Sequence, residues 1–357
     1  MNNRIEAIQK RLLDENIDYL LISDPANINY LLNKHIYPGE RMLVLCLSAK
    51  GNHQFFLNRL FNVPEEFGIE KTWFFDTDNY LGMLSDYIKD GKVIGVDKIW
   101  PAKFLLPVMK NNTHSTFING SYIVDEMRMV KDEAEKELMR KASLINDEAM
   151  DDMIHAFEEG ITENEMAKKL LDFYASHGGQ GYSFSPIVGY GPNGADGHHG
   201  CDDTPLKAGD SIVIDMGCMY NGYCSDMTRT VFYKSVSEKQ EYVYNLVLKA
   251  QLAAEAIIKP GVRLCDIDKT ARDIITEGGY GPNFNHRLGH FIGQEVHEYG
   301  DVSANFDMEV KEGMIFSIEP GVYIEGEFGV RIEDLVMVTK DGVEILNKYP
   351  KDLLVIK

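Results

Sequence analysis

Residues 211–232 read SIVIDMGCMYNGYCSDMTRTVF, a pattern typical of a β-hairpin. Asn221-Gly222 favours a two-residue type I′ turn, and the runs on both sides have the composition of strands. Counting outward from that turn places Asp215 opposite Thr228. Asp226 is two residues from Thr228, so we expect Asp215 and Asp226 on the same face of the hairpin, as diagonal neighbours.

Two carboxylates in such positions repel each other unless a cation lies between them. The alternative is a pair of solvated acidic residues on an exposed hairpin. Asp215 directly follows Ile212-Val213-Ile214, a run typical of a buried strand, which disfavours that alternative. The hairpin therefore predicts a metal site.

Glu319 and Glu333 repeat the arrangement. Residues 314–323 and 329–338 are predicted strands with a turn region between them, and both glutamates have apolar neighbours. A buried glutamate is rare without a partner. An ion pair with Arg331 is the alternative for one glutamate, but it does not easily explain both.

A histidine completes a candidate ligand set. His290 lies between Gly289 and Gly293, and glycines permit the close backbone approach that is common near a ligand or metal. The predicted ligands are thus Asp215, Asp226, His290, Glu319 and Glu333. Four carboxylates and one imidazole suit two ions such as Mn²⁺ or Co²⁺ better than a thiolate-rich structural zinc site. Paired ions about 3.5–4 Å apart can share a hydroxide that attacks an acyl or phosphoryl centre, so a hydrolase is expected.

Composition excludes several other classes of protein. The 357 residues carry a formal net charge of −20, which disfavours nucleic acid as a partner because phosphates require a basic surface. No apolar run is long enough to cross a membrane, and the N-terminal segment is charged and periodic, unlike a signal peptide. The five cysteines include no CxxC pair, which indicates reduced thiols and a cytoplasmic protein.

The chain length and patterning predict two domains, 1–122 and 130–357. In the first, a helical repeat of Ile5, Ile8 and Leu12 precedes a series of strands, which indicates an α/β domain with a supporting or oligomerising role. Its predicted strands are 19–22, 42–47, 54–57, 72–75 and 93–96.

The second domain is predicted to be α+β, with helices and a mainly antiparallel sheet. A long helix is expected from about Asp132 to Phe157, and capping boxes at Thr162–Glu165 and Ser237–Gln240 predict two more. Strand patterns dominate around 183–190, 211–233 and 314–338.

The chain resembles a known family, the pita-bread metallopeptidases. Within that family it resembles the branch of Xaa-Pro dipeptidase (prolidase) and aminopeptidase P. The resemblance covers nearly the full length and includes a creatinase-like (ribonuclease H-like) N-terminal domain. It is carried by six motifs in order: Ile214–Gly217, Ser225–Thr230, His286–Gly293, Val296–Glu298, Ile318–Tyr323 and Gly329–Asp334.

The resemblance implies roles for individual residues. Asp226 and Glu333 would bridge two divalent ions, with Mn or Co expected and Zn or Fe as alternatives. Asp215, His290 and Glu319 would complete the ligand set. His198 and His297 match the family's two non-ligand histidines, which act on the substrate and on the tetrahedral intermediate. Arg331 matches an arginine linked to the carboxylate end of the substrate.

The chemistry of the reaction agrees with those roles. The nitrogen of proline in an Xaa-Pro bond carries no hydrogen, so its departure requires protonation, and Glu319 is a suitable proton carrier. The developing oxyanion needs a cation or an imidazole N–H, which His198 or His297 can supply. The resemblance also implies a homodimer in which 1–120 lie at or near the interface and favour short substrates.

Two departures from the family pattern bear on specificity. Gly197 stands where the family usually has proline before the first histidine. Asp301 stands in the region where some archaeal-type prolidases have a basic residue, so an anchor for the substrate's free carboxylate is missing there.

Several functions remain open from sequence. The leading hypothesis is hydrolysis of Xaa-Pro bonds in dipeptides or short peptides. An aminopeptidase P that acts on longer peptides is the alternative. A creatinase-like C–N hydrolase is disfavoured because all five ligands are present, and so is a pseudoenzyme that binds a protein partner.

Overall fold

A computed structural model describes residues 3–63 and 68–357. The chain divides into two compact units, Met1–Arg128 and Met129–Lys357. Among the described residues, no helix combines the length and apolar content that a membrane crossing requires.

The described helices, in chain order, are α1 (Asn3–Asp14), α2 (Pro25–Leu32), α3 (Tyr80–Ile88), α4 (Ala102–Asn111), α5 (Tyr122–Met129), α6 (Glu133–Ala156), α7 (Glu163–Ser176), α8 (Glu238–Ile257) and α9 (Leu264–Glu277). Two short 3₁₀ helices span Gly191–Ala195 and Gly281–Asn283.

The strands of the first unit are β1 (Tyr19–Ile22), β2 (Leu43–Ser48), β3 (Gln54–Asn58), β4 (Glu70–Phe74), β5 (Val93–Val96) and β6 (Thr116–Asn119). Those of the second unit are β7 (Ile187–Tyr190), β8 (Ser211–Met216), β9 (Met219–Tyr220), β10 (Tyr223–Cys224), β11 (Met227–Tyr233), β12 (Gly289–Phe291), β13 (Glu298–Val302), β14 (Ile315–Ile318), β15 (Gly321–Ile324), β16 (Phe328–Arg331), β17 (Asp334–Val338), β18 (Val343–Ile345) and β19 (Val355–Ile356).

The first unit is built on one mixed sheet with the strand order β4-β3-β2-β1-β5-β6. Its five predicted strands are confirmed, and α1 buries Ile5, Ile8 and Leu12 as their spacing predicted. The sequence did not predict β6. The two ends of this edge strand are exposed, so it lacks the continuous apolar run by which a buried strand is recognised.

The predicted capping boxes of the second unit are confirmed. Thr162 and Glu165 cap α7 reciprocally, and Ser237 and Gln240 do the same for α8. The long helix α6 also begins with such a box, at Asp132. Each box satisfies backbone N–H groups that have no partner within the first turn, which fixes where the helix begins.

The hairpin around Asn221-Gly222 has the predicted register. Asp215 on β8 pairs with Thr228 on β11, and this sheet has the order β19-β11-β8-β7. Asn221 and Gly222 both have positive φ, as a type I′ turn requires. The final strand, β19, lies beside β11 in parallel.

The second predicted hairpin is interrupted, and the prediction of two continuous strands was wrong. Its inner part pairs β14 with β17, whereas its outer part pairs β15 with β16 in a separate two-stranded sheet. Pro320 stands at the break, because proline has no N–H to donate to a ladder. The interruption leaves Glu319 and Glu333 just outside β14 and β17.

Arg229 joins the sheet to the C-terminal segment from a fully buried position. Its guanidinium donates to the carbonyls of Pro350 (3.0 Å), Thr228 (3.0 Å), Glu333 (2.6 Å) and Tyr349 (2.6 Å) and to the Asp334 carboxylate (2.8 Å). Removing one partner of a buried ion pair costs about 3–5 kcal/mol. Arg229 therefore stabilises the chain around Glu333.

Candidate metal centre and its cavity

A cavity of about 1160 Å³ in the second unit contains the predicted site. Its lining includes every residue to which the sequence assigned a role: Asp215, Asp226, His290, Glu319, Glu333, His198, His297 and Arg331. These residues come from segments up to 135 positions apart, between His198 and Glu333, and the sheets of the second unit bring them together.

Three of the predicted ligands form one compact group. One ligand atom each of Asp226, His290 and Glu333 lie within 4.8 Å of one another, and all three residues are buried. Nε2 of His290 is 3.6 Å from Oδ2 of Asp226 and 3.5 Å from Oε1 of Glu319. This spacing leaves room for a cation between the side chains.

The ring of His290 is oriented for coordination. Its Nδ1 lies 3.2 Å from the carbonyl oxygen of Phe291, so Nδ1 carries the proton and Nε2 directs a lone pair toward the carboxylates. Burial lowers the pKa of His290 to about 3, and the positive charge of neighbouring Arg287 contributes. A neutral imidazole is the form that binds metals.

The buried carboxylates repel one another unless a cation lies between them. Burial raises the pKa of Asp226 and of Glu333 well above the ordinary value, and the negative charge of neighbouring carboxylates adds to the increase. Burial raises the pKa of Glu319 to about 7. Oδ1 of Asp226 and Oε1 of Glu333 are buried without a hydrogen-bond donor. Divalent cations would provide both the missing partners and the missing charge.

Asp215 has a different partner. Nη2 of Arg331 donates to Oδ2 of Asp215 at 2.7 Å. Arg331 also donates to Thr228 Oγ1 (3.0 Å), the Tyr323 hydroxyl (2.7 Å) and the Gly197 carbonyl (3.5 Å). The ion pair that the sequence suggested for a glutamate is thus made with an aspartate, and the Glu333 carboxylate accepts instead from Thr228 Oγ1 at 2.7 Å.

Glycine is required at position 289 for a different reason from the expected approach of a ligand or metal. A Cβ atom there would lie 1.9 Å from the carbonyl oxygen of Ser317, so the close approach is made by a neighbouring strand. A Cβ atom on Gly293 would meet the Glu298 carboxylate at 2.6 Å. Both glycines therefore permit close packing of protein groups around His290.

Sequence reasoning assigned no role to two further cavity residues. Nδ1 of His286 lies 2.7 Å from the Arg287 carbonyl oxygen, and its Nε2 lies 3.1 Å from the Tyr323 hydroxyl. Burial lowers the pKa of His286 to about 4, so the ring is neutral. Both His286 and Tyr323 lie within motifs that pointed to the site, but nothing in the spacing connects them.

Family models match both units of the chain. The model of the Creatinase/Prolidase N-terminal domain matches residues 4–130, and that of Metallopeptidase family M24 matches residues 137–340. An uncharacterised peptidase of Staphylococcus saprophyticus is 35% identical to this chain, over 98% of the chain and 100% of that protein.

Solved structures agree with those matches. The dipeptidase PepE of Mycobacterium ulcerans has a TM-score of 0.95 at 31% identity, and the match covers 99% of this chain and 97% of that one. The prolidase of Pyrococcus horikoshii OT3 has a TM-score of 0.89 at 31% identity, with 99% and 100% covered.

Proposed function

Because the chain belongs to metallopeptidase family M24, we propose that it hydrolyses the Xaa-Pro bond of dipeptides and short peptides with two divalent cations per subunit. Its second unit is the pita-bread domain of that family, and its first is a creatinase-like N-terminal domain. The domain bounds 1–122 and 130–357 remain a prediction.

The observation that carries this proposal is the buried, like-charged cluster. Asp226 and Glu333 each have an oxygen without a donor, and His290 presents a lone pair to the same space. Asp215, Asp226, His290, Glu319 and Glu333 would together hold the cations. When bound, the cations would supply positive charge that polarises the scissile carbonyl group and lowers the pKa of a water molecule.

Glu319 is the proposed proton carrier. Its Oε1 accepts a hydrogen bond from Ser317 Oγ at 3.2 Å, which leaves Oε2 for a proton. A carboxylate in the same cavity as the reacting groups can take a proton and give it back. Glu319 can thus pass a proton to the proline nitrogen as the bond breaks.

His198 and His297 are the proposed donors to the oxyanion. Both line the cavity, and neither is buried. Burial of part of the ring, followed by the charge of Arg287, lowers the pKa of His297, so its ring is neutral at pH 7 and keeps one N–H. That N–H can donate to the oxygen on which negative charge develops.

Two arginines could bind the substrate's free carboxylate. The resemblance gives this role to Arg331, but its side chain is 4% exposed and donates to four acceptors of the protein. Arg287 is 35% exposed, lines the same cavity and forms an ion pair with Asp301. We therefore propose that Arg287 contacts the carboxylate directly and that Arg331 holds Asp215 in place. Arg287 would replace the basic residue that is missing at Asp301.

The finer assignments are also proposals. Mn²⁺ or Co²⁺ fits an oxygen-rich site with one imidazole, and Zn²⁺ or Fe²⁺ are the alternatives. The five cysteines are all free thiols, which supports a cytoplasmic location. A homodimer is proposed because the family commonly forms one.

The decisive experiment compares substrates with and without metal. Purified protein is stripped by chelation and reloaded separately with Mn²⁺, Co²⁺, Zn²⁺ or Fe²⁺, and turnover of Ala-Pro, Ala-Pro-Ala and Ala-Gly is measured. We expect no turnover without metal, two ions per subunit on reloading, and preference for Ala-Pro. Preference for Ala-Pro-Ala would indicate aminopeptidase P activity, and turnover that survives full chelation would contradict the proposal.

A further inference from the structure

Glu163 is a buried carboxylate outside the metal cluster. Glu163 is the first residue of α7, and its side chain is 0% exposed. Oε1 accepts from the Tyr190 backbone N–H and from Asn193 Nδ2, both at 2.9 Å. Oε2 lies 2.6 Å from Nε2 of His199 and accepts from the Asp202 backbone N–H at 3.1 Å.

This second acidic cluster is not a metal site. Glu163, His199 and Asp202 are close enough to hold an ion. However, a carboxylate has about four lone-pair sites, and four donors already surround Glu163. The Asp202 carboxylate accepts from the Thr204 backbone N–H at 2.7 Å. The cluster therefore serves to hold protein groups.

The four hydrogen bonds of Glu163 hold the segment 190–202 at both ends and at two positions between them. Tyr190 and Asp202 are the ends of a loop that includes His198, the proposed oxyanion donor. Around His198 the restraints are local or weak: its N–H donates to Asp196 at 3.0 Å, and Arg331 reaches the Gly197 carbonyl at 3.5 Å. Gly197 has no side chain to limit its backbone, so the loop depends on restraint from outside.

We propose that Glu163 and His199 are positioning residues that fix the backbone of His198 at the cavity. This inference rests on the role given to His198 under the proposed function. A hydrogen bond to a carboxylate is about twice as strong as a neutral one, and the 2.6 Å contact lies one residue from His198. Releasing it would let the His198 ring leave the geometry that catalysis requires.

Two substitutions test this role. Glu163→Gln keeps the shape of the side chain but turns an NH₂ group toward the N–H groups of His199 and Asp202. His199→Phe keeps a planar ring and removes the donor. We expect each to lower kcat by about 10- to 100-fold, because a shift of about 1 Å has that effect, with KM within about twofold. Metal content should be unchanged.

The matched control is Glu165→Gln on the same helix turn. Glu165 completes the capping box of α7 but does not bond to the His198 loop. We expect Glu165→Gln to lower the melting temperature slightly and to leave kcat unchanged. If it lowers kcat as much as Glu163→Gln does, the effect comes from α7 in general and the proposal is wrong.

A rescue variant separates positioning from a general structural role. Asp196 has φ −98° and ψ 110°, which suits a residue before proline. A Cβ atom on Gly197 would have no neighbour closer than 3.4 Å. Gly197→Pro should therefore restrict the backbone beside His198. We expect His199→Phe with Gly197→Pro to recover at least about fivefold in kcat over His199→Phe alone. No recovery would contradict the proposal.

Hydrogen–deuterium exchange tests the inference without any assay of activity. In metal-loaded protein, Glu163→Gln and His199→Phe should raise exchange about tenfold or more in peptides from 191–202 and leave α7 unchanged. Unchanged exchange in 191–202 would overturn the inference even if the enzyme cleaves Xaa-Pro bonds. Faster exchange in a protein that cleaves no Xaa-Pro peptide would instead overturn the proposed function alone.

Discussion

Five histidines line the cavity, and their partners separate their roles. His290 directs Nε2 toward carboxylates, His286 is bonded through both ring nitrogens, and His199 is bonded to Glu163. The remaining rings, His198 and His297, are exposed within the cavity. A residue that must meet substrate needs such freedom, so these two are the natural donors to a reaction intermediate.

Replacing His198 or His297 with alanine should lower kcat by about 10²-fold or more, because an oxyanion donor is lost. Metal content, measured by mass spectrometry, should stay near two ions per subunit. His290→Ala is the matched control and should lose metal. Loss of metal from the His198 or His297 variant would mean that the ring is a ligand.

The two arginines should respond differently to the charge of the substrate. Arg287→Gln should raise KM for Ala-Pro about 10- to 100-fold and should change KM for Ala-Pro with an amidated C-terminus much less. Only the substrate with a free carboxylate loses a charged hydrogen bond. Arg331→Gln should impair both substrates equally, because Asp215 loses its partner. If Arg331→Gln affects only Ala-Pro and Arg287→Gln affects both substrates, Arg331 is the residue that binds the free carboxylate.

The partner of a residue could be predicted from the sequence only where the two residues are close along the chain. The two-residue turn was sufficient to predict the pairing of Asp215 with Thr228. The bond from Arg331 to Asp215 joins residues 116 positions apart, and that between His199 and Glu163 joins residues 36 apart. Such partners depend on tertiary packing, which periodicity does not encode. The ligand roles themselves remain predictions until metal is measured.

At the scale of elements, regular patterns were predicted well and interruptions poorly. Capping boxes at Thr162 and Ser237 located two helix starts, since they depend on residues only three apart. The first predicted strand of the second hairpin is interrupted at Pro320, and the second is interrupted opposite it, at Ile332-Glu333. Apolar content continues across that break, and for this reason the sequence suggested continuous strands.

The contact between α6 and the C-terminal segment should depend on pH. Asp147 on α6 accepts from the backbone N–H groups of Lys348 and Tyr349, at 2.7 Å and 3.2 Å. Burial raises its pKa from 3.8 to about 6. A raised carboxyl pKa means that the fold favours the neutral form, so the stabilisation is complete below pH 3.8 and is lost as pH rises through about 6.

Asp147→Asn stays neutral and should therefore gain stability relative to the unsubstituted protein as pH rises. Between pH 4 and 7 we expect the difference in free energy of unfolding to shift by about 1–3 kcal/mol in favour of the variant. Urea unfolding at several pH values measures it. The exposed Asp341, between β17 and β18, provides the control, Asp341→Asn, whose difference should stay flat. A flat difference for Asp147→Asn would show that its carboxyl is not perturbed.

Across the whole molecule, exposed apolar side chains are unevenly distributed. The most exposed large hydrophobic residues of the described chain all belong to the first unit: Tyr37, Leu60, Leu106, Leu13, Phe75 and Ile99, each at least 55% exposed. Lys103 donates to the Glu40 carbonyl at 2.6 Å, which brings the loop with Tyr37 beside α4 and Leu106. A contiguous apolar patch is typical of an interface, and Tyr37 and Leu106 are therefore the first residues to test as contacts of the proposed homodimer.

Replacing Tyr37 and Leu106 together with glutamate should shift the protein from dimer to monomer, because two charges would have to be buried at the interface. Light scattering coupled to size-exclusion chromatography measures the mass. The control is Tyr242→Glu, a change at an exposed aromatic residue of the second unit. A monomeric unsubstituted protein would contradict the proposed dimer.

The pairing of β19 with β11 protects the protein from aggregation. Phe232 and Tyr233 pair with Val355 and Ile356, so the last residues of the chain cover one edge of the sheet that carries Asp215. Without them, unpaired N–H and C=O groups of a fully buried strand would face solvent and form a template for another chain. Proteolytic trimming after Pro350 would therefore favour aggregation through this edge, although every residue that lines the cavity would remain.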